Sequence, residues 1–171
     1  MKKIAIIILC FLMSFLFSGC KAENSLNIIY NKQPDSDTSE QEGLNWPEIS
    51  SDGLDEEMLI ENVDGAALEE IATSLQELTD EIETKQRENP EFAMSAEWYT
   101  YALESNEYKE IVGMGNKAAK ALYLIIYKSP NQGLFEYICA MALNEITGFD
   151  NDEWKTSKEF LNLFNQFVLG Q

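Results

Sequence analysis

Between Asp64 and Asn89 the apolar residues Leu68, Ile71, Leu75, Leu78 and Ile82 recur at alternating spacings of three and four. That period gathers them on one stripe of an α-helix. Asp64 is placed to cap its start, and Glu69 and Glu70 suit the positive end of the helix dipole. Lys85 and Arg87 suit the other end, and Asn89-Pro90 marks the stop. Five stripe positions are few for a coiled coil, so the pattern predicts an amphipathic helix within residues 54–91 that packs on the domain behind it, with a partner-binding face as the sharper alternative.

Helical signals continue to the C-terminus. Ser105 precedes a short segment ended by Gly113 and Gly115, and Asn116 precedes an alanine- and leucine-rich segment reaching Tyr127. Ser129 to Gly133 reads as a turn. Leu134 to Thr147 is apolar on most sides and is expected to be the central buried helix, closed by Gly148. Thr156 and Glu159 have capping-box spacing, and Phe160, Leu161, Leu163, Phe164, Phe167 and Val168 then follow a helical stripe. No stretch sustains strand alternation. The expectation is an all-α bundle of about five short helices over residues 92–171.

One segment, Ala93–Glu104, reads as a loop. Its Trp98, Tyr99 and Tyr101 are the aromatic residues expected to be exposed and to form a recognition surface. The other tyrosines of this half, Tyr108, Tyr123, Tyr127 and Tyr137, are expected to pack in the core.

The N-terminus is organised differently. Lys2 and Lys3 precede a run of fourteen residues, Ile4 to Phe17, apolar apart from Ser14. As a helix that run covers roughly 21 Å, short of the ~30 Å hydrocarbon core. Ser18 and Gly19 then supply small residues directly before Cys20. Leu16-Phe17-Ser18-Gly19-Cys20 resembles the lipobox of bacterial lipoproteins, with Phe17 where leucine is usual. The resemblance implies a signal peptide over residues 1–19, cleavage before Cys20 and diacylation (palmitate-type chains) of that cysteine as the lipid attachment. Two chains give stable membrane residence where one is marginal, at ~0.8 kcal/mol per buried CH₂. Secretion with cleavage after Ala22 and retention of the segment as an anchor are the competing readings.

Composition divides the chain beyond Cys20. From Lys21 to Glu91 twenty acids face four bases, and from Phe92 onward ten face six. Residues 20–53 read as the lipidated cysteine and a disordered acidic tether, too poor in apolar side chains to offset ordering entropy. A flexible chain of that length spans about 30 Å. Asp35, Ser36, Asp37, Thr38 and Ser39 do not make a calcium loop, because Glu40 stands where glycine is needed and Trp46 where glutamate is.

The stretches Asn89–Ser95, Tyr108–Gly115, Leu134–Ile138 and Asn144–Gly148 look like an uncharacterised HEAT-like helical domain of lipoproteins and sensor-associated extracellular proteins of Gram-positive bacteria. The likeness covers about sixty residues, and Ala119-Lys120-Ala121 stands where that family often has proline. It implies a helix-pair scaffold over residues 92–171 and no particular activity.

Chemistry is constrained by what the 171 residues contain. There is no histidine, which removes Ser-His-Asp and Cys-His catalysis and imidazole metal ligation. A formal charge of −18 opposes binding to nucleic-acid phosphates or, by charge, to an anionic membrane face. Cys139 lies in an apolar run and reads as a small buried hydrophobe. Gly113–Ala118 spells a loose dinucleotide fingerprint but lacks the preceding strand. Asp150, Asp152 and Glu153 suit helix capping, with Asp150 and Glu153 forming a box, better than weak calcium binding. The sequence therefore predicts a lipid-anchored protein on the extracytoplasmic face of the cell membrane. It is expected to bind a protein or cell-envelope partner without catalysis, metal or small-molecule cofactor. The alternatives are an accessory regulator or self-protection factor for a membrane sensor or transporter, and a carboxylate-based hydrolase.

Overall fold

The structure, a computed structural model, describes residues 45–170; the signal segment, Cys20 and the greater part of the tether lie outside the described residues. Among the described residues there are eight helices and one two-stranded hairpin, an all-α bundle with a small β appendage. The hairpin comes first. β1 (Ile49–Ser50) and β2 (Gly53–Leu54) pair antiparallel, Ile49 opposite Leu54, around a tight turn that leaves Gly53 at φ +116°. No L-side chain sits easily at that angle, which is why glycine stands there.

Helix α1 (Glu56–Asn62) starts where the Asp55 carboxylate accepts the Met58 N–H, at 3.0 Å. α2 (Gly65–Glu88) starts where Asp64 accepts from Ala66 and Ala67. The stripe predicted for α2 is the stripe it buries: Ile71, Leu75, Leu78 and Ile82 are in the core, with Leu68 at its edge. α3 (Pro90–Met94) and α4 (Glu97–Glu104) come next, then α5 (Asn106–Gly113), α6 (Asn116–Lys128), α7 (Leu134–Thr147) and α8 (Ser157–Leu169).

α6 and α7 make the most extensive helix pair, and α2 lies across both. α7 is central, burying Ile138, Cys139, Ala140, Met141, Ala142 and Leu143. α8 adds Phe160, Leu161 and Phe164 to the same core. Its Lys158 ammonium donates to the carbonyls of Ile126 (2.7 Å) and Tyr127 (3.1 Å), supplying donors to two carbonyls at the end of α6. The Thr156–Glu159 capping box forms as its spacing predicts.

Three expectations are corrected. Ala93–Glu104 is helical, not a loop. Asn89 caps α3 with Pro90 at its first turn, and Ser95 accepts the Glu97 N–H at 3.2 Å beside the start of α4. Proline, read as a stop, is also a start. Asp150 and Glu153 cap nothing; α8 begins only at Ser157, capped by Thr156. The acidic tether does not reach Gly53, because its last residues belong to the fold. Trp46 is 6% exposed, with its ring 5.3 Å from that of Tyr123 and 5.1 Å from that of Phe164. Glu48 is fully buried, its Oε1 accepting from Lys120 Nζ at 2.5 Å and from Asn62 Nδ2 at 2.7 Å. A composition average over residues 20–53 hid one anchoring tryptophan.

Candidate functional site, an aromatic and acidic cleft

α4 and α5 meet at Ser105, whose side chain leaves α4 and accepts the Tyr108 N–H of α5 at 3.1 Å. That corner sets Tyr99 and Leu103 on one side and Tyr108 on the other, facing the outer edge of α7. The opposite wall comes from the segment after α7. Gly148 closes α7 in the left-handed conformation, φ 61°, and Asp150 lies just beyond at φ 49°. Aspartate is among the few residues that tolerate this region. Asn151 then holds the turn, its side chain accepting the Glu153 N–H at 2.8 Å and its carbonyl accepting from Trp154 Nε1 at 2.7 Å.

Between these walls lies an open cleft of about 590 Å³, lined by Tyr99, Tyr108, Tyr137 and Trp154 among apolar neighbours and by Asn144, Glu145, Asp150 and Asp152. The rings support one another. Tyr137 lies 4.6 Å from Trp154, centroid to centroid, and 5.8 Å from Trp98 behind it; Trp154 in turn packs edge-on against Phe160 of the core at 5.2 Å. The polar side is rich in acceptors. Tyr108 donates its hydroxyl to Glu145 at 2.9 Å, and the Asn144 side-chain oxygen is buried with no hydrogen-bond partner.

The phenols register this field. Burial, and then the Glu145 carboxylate, push the Tyr108 hydroxyl well above its usual range. Burial first, then Tyr99 and Asp152, raise Tyr137. Both hydroxyls stay protonated at neutral pH and act as donors or apolar faces, not as bases. Cys139, fully buried, is likewise held as a thiol by desolvation.

The three aromatics predicted as one recognition surface separate. Tyr99 lines the cleft and is 42% exposed. Trp98 is half-buried and buttresses Tyr99 and Tyr137 from behind. Tyr101 points elsewhere: it donates to Glu81, sits under Lys85 and packs against Phe92 in a separate groove of about 250 Å³. A helix carries residues 98, 99 and 101 in three different directions, so reading the segment as a loop cost the distinction. Tyr108 and Tyr137, assigned to the core, also line the cleft, and Trp154 and Glu145 were not marked by any local pattern. Of the acidic cluster, Asp150 and Asp152 line the cleft and Glu153 does not. Among the described residues no three or more Cys, Asp or Glu side chains are placed to hold a metal ion.

No protein-family model, curated protein or solved structure matches this chain. Among the described residues no helix is long and apolar enough to cross a membrane.

Proposed function

We propose that this chain is a lipid-anchored extracytoplasmic protein whose HEAT-like helical domain binds a protein or cell-envelope partner without catalysis, and that the cleft between α4, α5, α7 and the 148–154 segment is where it binds. The observation that supports this reading is the cleft itself, a concave, open surface with rings braced from behind and polar groups along one side. Aromatic faces give contact area at low entropic cost, and sites of a few hundred Å³ with a few convergent polar groups are the usual form of a recognition surface. The lipobox-like Ser18-Gly19-Cys20 supports the anchor.

The test joins both halves. A photo-crosslinking side chain replaces Tyr99 in the full chain on its own membrane, and a second protein carries it at Glu77, an exposed position on a helix that lines none of the cleft. The expected result is an adduct at position 99 alone. Equal adducts at both positions, or none at 99, remove the cleft from the proposal. Cys20→Ala is expected to release the protein to the medium or leave the precursor uncut, and a mature wild-type mass without acyl chains removes the anchor.

A further inference from the structure

We infer that the cleft is a receptor for a basic peptide segment, with lysine or arginine side chains laid over its rings and paired with its carboxylates. The inference rests on the cleft being a binding site, as proposed above, and adds the chemistry of what it takes.

Three observations carry it. Of the four rings that line the concavity, Tyr99 is exposed and Tyr137 half-buried, with Tyr108 and Trp154 buried behind them, and an exposed ring attracts an ammonium or guanidinium through its quadrupole. The carboxylates of the lining are accessible acceptors: Glu145 takes the Tyr108 hydroxyl on one oxygen, with no protein partner shown for the other, and Asp150 and Asp152 are exposed. Charge is one-sided: Glu145, Asp150 and Asp152 line the cleft, and neither lysine nor arginine does. A neutral glycan would supply donors and leave three carboxylates without counter-charge. A single organic cation would match one of them. These acids stand on two different elements, α7 and the segment after it, so a chain bearing several cationic side chains is the occupant that answers all three.

The experiment uses the full chain in neutral detergent micelles and a fluorescein-labelled hexapeptide of alternating glycine and lysine. Its partner probe has glutamine in place of every lysine. Fluorescence anisotropy is expected to show binding of the lysine peptide only, weakening as salt is raised. Glu145→Gln combined with Asp152→Asn, both at exposed carboxylates, is expected to weaken it about tenfold or more. Tyr99→Ala is expected to cost roughly threefold to thirtyfold. Glu70→Gln combined with Glu77→Gln removes the same charge from α2, outside the cleft, and is expected to leave affinity within about twofold. Thermal melts of each variant accompany the titrations, and the exposed carboxamide pair keeps the test open if Tyr99→Ala melts early.

Equal binding of the glutamine peptide overturns the inference, as does an α2 variant that weakens binding as much as the cleft variant, which would reduce the effect to overall charge. Preference for an N-acetylglucosamine oligomer over the lysine peptide overturns it in favour of a glycan. The two proposals fail separately: an adduct at position 99 on membranes without lysine-peptide binding leaves a binding cleft with different chemistry, whereas peptide binding that the cleft substitutions leave untouched relocates the cation site.

Discussion

At the scale of single residues, buried polar groups set the largest local consequences. Glu48 has no exposed surface and relies on Lys120 and Asn62. Lys120→Met leaves that carboxylate buried with its counter-charge removed, an expected loss of about 3 kcal/mol, while adding Glu48→Gln should recover most of it. Paired denaturant melts read the difference, and an additive pair would show the contact to be idle. Tyr101 carries a pH signature. Its hydrogen bond to Glu81, then partial burial, push its hydroxyl up from 10.0 to about 12. A proton held more tightly in the folded state stabilises fully below the unfolded value, and that contribution is lost as pH rises from about 10 toward 12. Ultraviolet titration of the native chain should therefore lose one late phenol in Tyr101→Phe. Identical titration curves for the two proteins would remove the Glu81 contact from the account.

At the scale of elements, α7 decides whether the bundle stands. Ile138 is fully buried on it, so Ile138→Asp is expected to cost about 4 kcal/mol or more, a large share of the stability of a domain this size. A thermal midpoint equal to wild type would show that the helix is not the core. This element, α2 and α8 were legible in the sequence because each has a long apolar run or period with turn or capping signals at its ends. α3 and α4 were not, since five and eight residues carry too few stripe positions to show a period, and Trp98, Tyr99 and Tyr101 fall on three faces. The cleft was legible only through Tyr99. Its remaining parts come from α5, α7 and the 148–154 segment, nearly fifty residues apart in sequence, and only packing brings them together.

At the scale of the whole molecule, the boundary of the folded domain lies before Trp46 and not after Gly53. A chain beginning at Asn45 is expected to melt as the full chain does. One beginning at Asp55 loses Trp46, Ile49 and the Glu48 contacts, an expected cost of about 3–5 kcal/mol for the tryptophan alone. Calorimetry of the two truncations decides it, and matching midpoints would make the hairpin an ornament. The position of Trp46 also has a mechanical consequence. A pull on the chain ahead of Asn45 does not first unravel a helix end. It loads an indole seated between Tyr123 of α6 and Phe164 of α8, and an ion pair that ties Glu48 to α6. Traction from the N-terminal side thus enters at the middle of the bundle, where neighbouring helices share the strain. At the opposite end the last packed ring is Phe167, 4.9 Å from Phe149, and Leu169 beyond it is exposed.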